Sequence, residues 1–209
     1  LASLAAAGPF PPPGPGAPSL AVRTPDGWRT WWTADHPPVR WTAPHPDITR
    51  ALDWQAVAPG VHTAELRLSG AREAWRVAVA LVRFDASRLE LSLAYTPDRL
   101  GRPDRWSVDE APADAVVAFN AGHFDGRGPW GWTVGDGIEH RAPGTGPLAP
   151  AVVSEGVGRL RIIPADSIAA VRVRGGVRFA VQSYPALLQG DGEVPGPLRT
   201  EDRGVSHAH

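Results

Sequence analysis

The sequence predicts an α+β fold that is rich in β-structure, built mostly from antiparallel hairpins, with few helices. Three observations predict it. Paired runs of β-favouring residues flank short glycine-containing stretches at Ser69-Gly70-Ala71, at Glu155 to Gly158 and at Gly175-Gly176. Several runs alternate with a period of two, which fits strands and not helices. One helix-start signature stands out, Ser107-Val108-Asp109-Glu110, and Pro112 limits what can follow it.

The elements follow in order. Val61 to Leu68 and Trp75 to Phe84 form the first hairpin; in the second run Trp75, Val77, Val79 and Leu81 alternate with Arg76, Ala78, Ala80 and Val82, giving one strongly apolar face. After the turn-like Asp85 to Arg88, Leu89, Leu91, Leu93 and Tyr95 repeat the period and predict a third strand. The serine and glutamate of Ser107 to Glu110 match a capping box, so a short helix is expected there. Ala115 to Phe119 is a short apolar run, consistent with a buried strand that ends at Asn120. Ala151 to Val153 with Leu160 to Ile163, and Val171 to Arg174 with Val177 to Val181, give two more hairpins, the second turning on Gly175-Gly176.

The composition is that of a globular chain, with 43% hydrophobic residues, nine tryptophans and a net charge of -1. That balance argues against a nucleic-acid partner, which calls for a basic patch to neutralise phosphates. No apolar run reaches the roughly 18 residues of a membrane-spanning helix. The absence of cysteine excludes disulfides, thiolate metal sites and a cysteine nucleophile. No cofactor or metal signature is identifiable. Residues 8 to 46 hold 11 of the 23 prolines, so residues 1–46 read as an extended tail or linker and residues 47–209 as the domain. Trp28, Trp31, Trp32 and Trp41 complicate that reading, because indoles favour burial; part of the segment should lie along the domain or bind something. The opening LASLAAAG reads either as the end of a signal segment, which points to export, or as an alanine-rich tail.

Chemistry concentrates between Val116 and Gly137, VVAFNAGHFDGRGPWGWTVGDG, which contains the sole asparagine of the chain, Asn120. An amide offers both donors and an acceptor, and Gly122, Gly126, Gly128 and Gly131 let a ligand approach the backbone. Trp130 and Trp132 offer apolar faces on which a sugar can stack, while His123 or Asp125 can move a proton. Asp136 and Glu139 follow in the next turn. The same residues also have a plain structural account, in which Asn120 caps a turn, Asp125-Gly126 and Asp136-Gly137 are turn dipeptides, and the tryptophans are core.

The order of these motifs resembles the phosphodiester glycosidase family, the family of the uncovering enzymes. Asn120, Ala121, Gly122 and Phe124 match the family's Asn-Gly/Ala-Gly-Phe-Phe motif, with His123 in place of the first aromatic. A Gly-Trp-x-Val-x-Asp-Gly segment and then Ser183-Tyr184-Pro185-Ala186-Leu187-Leu188 with a Gly-Asp-Gly turn complete the likeness, which covers about Val61 to His209. The family's later arginine segment and glycine-rich aspartate motif are not in this sequence, so the resemblance implies a catalytic domain cut short at its C-terminal side. It implies hydrolysis of a glycosyl phosphodiester in a cell-envelope or exopolysaccharide glycan. Asn120, His123 and Asp125 would be the catalytic candidates, and Gly122, Phe124, Trp130, Trp132 and Asp136 would contact the glycan or sugar-phosphate substrate. The alternative is a non-catalytic carbohydrate-binding or structural envelope domain. His207 and His209 read either as a terminal metal-binding pair or as a solvated end.

Overall fold

The computed structural model describes residues 19–33, 39–70, 77–94, 108–125, 128–146 and 148–198. Within them the chain divides into two compact units, one running up to Arg83 and resuming at Leu188, the other Phe84–Leu187.

The first unit is built on a five-stranded sheet. Strands β1 (Ser19–Thr24) and β2 (Gly27–Thr33) form an antiparallel hairpin. Its turn is closed by Thr24 Oγ1 donating to the Gly27 carbonyl at 2.8 Å. Beyond the short helix α1 (Pro46–Ala51), β3 (Gln55–Ala58) and the long β4 (Val61–Gly70) follow, and β5 (Val77–Phe84) pairs with β4. Strand β1 also pairs with β4, through Leu20 opposite Gly70 and Val22 opposite Leu68. Val22, Val61, Ala64 and Leu66 are buried. The expected hairpin of β4 and β5 is therefore present, and the expected alternation along β5 is kept, with Val77, Val79 and Leu81 less exposed than Ala78, Ala80 and Val82.

Residues 19–33 correct the reading of 1–46 as a tail: prolines flank this segment but occupy no strand position in it, so both strands keep their ladder donors. Helix α1 begins at the last residue of the proline-rich region. Pro46 takes its first position, where a missing N–H costs nothing, and His45 Nδ1 accepts from the Asp47 N–H at 3.3 Å.

The second unit carries another five-stranded sheet. Two short strands, β6 (His123–Asp125) and β7 (Gly128–Trp130), form a separate hairpin. The sheet itself comprises β8 (Thr133–Gly135), β9 (Ile138–Arg141), β10 (Ala151–Ser154), β11 (Leu160–Ile163) and β12 (Phe179–Gln182), in the order β11-β10-β12-β8-β9 with every pairing antiparallel. Helix α2 (Ile168–Arg174) covers one face, burying Ile168 and Val171 in a cluster with Trp132, Val134, Ala151, Val153, Ile163 and Ala180. The fold is thus β-rich with mostly antiparallel sheets and two short helices, as the sequence indicates.

Four expectations change here. Val171 to Arg174 is helical, and Gly175, at φ 74°, ends that helix instead of turning a hairpin. The positive φ was legible; the element before it was not, because the alternation Val171-Arg172-Val173-Arg174 has the period of a strand, whereas in the helix Val171 is buried and Val173 is exposed. Leu89 to Ala94 keeps its alternating exposure yet pairs with no strand, since periodicity selects a face without supplying a ladder partner. Ala115 to Phe119 is neither a strand nor buried; Val116 and Phe119 are 49% and 59% exposed. Finally, the expected helix at 107–110 is a single 3-10 turn, Val108–Glu110, with Ser107 and Tyr95 both outside the described residues.

Candidate functional site

Gly122 sets the course of the Asn-Ala-Gly segment. At φ 73° it occupies the left-handed region, and a Cβ there would lie 2.9 Å from Val181 Cγ1 and 3.3 Å from the Gln182 carbonyl oxygen. Only glycine allows the chain to turn and to press so closely on β12. Asn120, two residues earlier, is exposed, and its amide has no hydrogen-bond partner among the described residues.

His123 opens β6, directly across from Trp130 on β7. Its ring meets the Trp130 indole edge-on, with centroids 6.5 Å apart and planes at 83°. His123 Nε2 is in hydrogen-bond contact with the Tyr184 carbonyl oxygen. A carbonyl only accepts, so in the neutral ring the proton sits on Nε2 and Nδ1 keeps a lone pair. Phe124 and Asp125 occupy the next two positions of β6, opposite Pro129 and Gly128; the sequence assigns roles to their side chains, which lie outside what the structure describes.

Trp130 and Trp132 part company. Trp132 is 1% exposed and belongs to the core, which corrects its reading as a surface for sugar. Its indole N–H donates to Glu139 Oε2 at 3.0 Å. Trp130 is partly exposed and lies against Gly144, where a Cβ would stand 2.7 Å from the indole Cζ2. Glu139 receives both Arg172 Nε at 2.7 Å and Nη2 at 2.6 Å. That fork holds its carboxyl below the ordinary glutamate range, with the Trp132 N–H adding to the effect, so Glu139 is an ionised strut and a poor proton donor.

Asp136 stands apart. With Gly137 it makes the β8–β9 turn at φ 50° and 78°, and the Gly137 N–H donates to the Arg178 carbonyl at 2.9 Å. Arg178 precedes β12, whereas Gly122 packs at its far end, roughly 10 Å away at about 3.3 Å per residue. Asp136 lines a separate polar hollow of about 260 Å³ with Glu90, Asp114 and Arg178, and Arg178 pairs with Glu90 at 3.2 Å. The Asp136-Gly137 dipeptide is thus a turn, and Asp136 is not grouped with Asn120 and His123. Among the described residues no three His, Asp or Glu side chains converge to hold a metal ion.

Gln182 is the residue that sequence reading passed over. It is fully buried, and all its amide valences are used: Oε1 accepts from the Trp132 N–H at 2.9 Å and the Gly144 N–H at 2.8 Å, while Nε2 donates to the carbonyls of Gly144 at 3.2 Å and Ala149 at 2.9 Å. The one available signal was a polar side chain closing the apolar run Phe179-Ala180-Val181. Comparison of the chain with protein-family models, with curated proteins and with solved structures finds no match.

Proposed function

We propose that the Phe84–Leu187 unit carries a glycosidase-like site that cleaves a sugar from a phosphodiester in a cell-envelope or exopolysaccharide glycan. One observation supports this above others. The two segments that carry the family resemblance, Asn120 to Phe124 and the stretch beginning at Ser183, are some 60 positions apart in the chain and meet in space through the His123 contact with the Tyr184 carbonyl. Gly122 packs on Val181 and Gln182, immediately before that second segment. Asn120 and His123, three positions apart, are both exposed, and an amide with an imidazole is a combination suited to orienting a substrate hydroxyl or phosphate oxygen and moving a proton. An exported location accompanies this reading, because the substrate is an envelope glycan; fractionation of the expressing cell tests it, and retention in the cytosol would contradict it.

The decisive assay measures sugar release from N-acetylglucosamine 1-phosphodiesters and glucose 1-phosphodiesters by the protein expressed from its complete reading frame. Asn120→Ala should lower kcat/KM by about 10²-fold, the scale of losing one aligned polar contact in a transition state. Equal rates for the two proteins would remove Asn120 from the chemistry, and no release by the wild type would remove the reaction.

A further inference from the structure

The imidazole of His123 is held from two sides. On one side Nε2 faces the Tyr184 carbonyl. On the other, the ring meets the edge of Trp130, and Trp130 lies on the Gly144 backbone so closely that a Cβ at Gly144 would fall within 2.7 to 3.1 Å of three indole carbons. Gly144 in turn is gripped at both its N–H and its carbonyl by the Gln182 amide. The grip has one orientation only. Oε1 faces two N–H groups and Nε2 faces two carbonyls, so turning the amide over would oppose like partners in a fully buried site.

We propose that His123 acts as a base through Nδ1, that the Tyr184 carbonyl keeps the proton on Nε2, and that Gln182 is a positioning residue that sets the ring through Gly144 and Trp130. This rests on reading the 120–130 segment as a glycosyl-phosphodiester site. In the reaction, the oxygen of a water molecule bonds to the anomeric carbon and one of its protons passes to Nδ1. The bond from that carbon to the phosphate oxygen breaks, and its electron pair stays on the phosphate. The imidazolium that results keeps its Nε2–H on the Tyr184 carbonyl, whose dipole stabilises the new charge.

Long-range proton–nitrogen NMR on the full chain, recorded well above the ordinary imidazole range so that the ring is neutral, reads the tautomer directly. The expected result is the Nε2–H form at His123; an Nδ1–H form would overturn the proposal. Gly144→Ala places a methyl against the Trp130 indole, whose carbons are its three nearest neighbours, and leaves the Gln182 side chain itself unaltered. It should convert the single tautomer into a mixture while far-UV circular dichroism remains that of the wild type. Gln182→Glu should do the same, by setting carboxylate oxygens against the Gly144 and Ala149 carbonyls. If Gln182→Glu fails to fold, Gly144→Ala decides the relay: an unmixed Nε2–H tautomer in that variant would show that Gln182 does not position the ring. His123→Gln keeps a donor for the Tyr184 carbonyl and removes the base, so sugar release should fall by about 10² to 10⁴-fold with KM little changed. An unchanged rate in His123→Gln would refute the base. A pure Nε2–H tautomer in a protein that cleaves no glycosyl phosphodiester would refute the reaction while leaving the positioning intact.

Discussion

Gly122 and Gly175 both sit at positive φ, for separable reasons. At Gly175 (φ 74°, ψ -167°) nothing lies within 4 Å of an added Cβ, so the demand is conformational alone. Gly175→Ala should lower stability by about 1 to 3 kcal/mol, the cost of holding a non-glycine residue in that region. Gly122→Ala adds a clash with Val181 Cγ1 to a similar backbone penalty, and should cost more. Urea denaturation of both variants tests the order; an equal or smaller loss at Gly122 would mean that β12 yields easily there. Asn120→Ala, at an exposed position, should change stability by less than about 0.5 kcal/mol, so that any loss of activity belongs to the chemistry. At this scale the sequence singled out Asn120, Gly122 and His123 together, and the structure sets Gly122 against β12 and His123 against the Tyr184 carbonyl. The sequence could not separate Trp130 from Trp132, because two indoles two positions apart look alike until a fold buries one of them.

Between elements, carboxylates fasten α2 to the sheet. Glu139 on β9 takes the Arg172 fork, and Glu155 after β10 receives Arg161 of β11 and, at 2.5 Å, Arg174 of α2. At Glu155 burial pushes the carboxyl upward, but the hydrogen bonds and charges of Arg174 and Arg161 outweigh it, and both glutamates end below their ordinary range. A lowered folded-state value contributes stability that is fully present above the unfolded glutamate range and is lost as pH falls through the depressed value. Wild type should therefore exceed Glu139→Gln in stability by a constant margin at neutral pH, and the margin should close in acid. Denaturation curves across that range check it, and a margin that widens in acid would reverse the sign. The hairpins β4–β5 and β10–β11 were legible because each is a local unit in which alternation and a glycine-bearing turn agree. Helix α2 was not, because its seven residues carry too few turns for a 3.6 period to declare itself.

At the scale of the molecule, the sheet of the second unit ends in two exposed β-branched residues, Ile162 on β11 at 73% and Ile138 on β9 at 63%. Unpaired edges with apolar side chains favour strand addition between chains. Ile162→Lys should reduce concentration-dependent association in light scattering without lowering the thermal midpoint; unchanged association would locate the contact elsewhere. Among the described residues no helix is long and apolar enough to cross a membrane. Gln182 ties distant parts of the second unit together, since its amide joins Trp132, Gly144 and Ala149. Gln182→Leu should cost more than about 3 kcal/mol, because it leaves several buried backbone groups without partners, and a loss below about 1 kcal/mol would show that they pair otherwise.

The sequence by itself determined the class of the fold, the hairpins closed by local turns, and the segment in which polar, aromatic and glycine residues gather around Asn120. These depend on neighbours within about ten positions, where propensity and periodicity act directly. Only the tertiary structure decided that residues 19–33 form strands, that the run before Asn120 stays exposed, that Trp132 is core, and that the Tyr184 carbonyl meets His123 while Gln182 holds the Gly144 backbone against Trp130. Each of these depends on which distant backbone supplies a hydrogen-bond partner or a packing surface, and no local pattern encodes that choice.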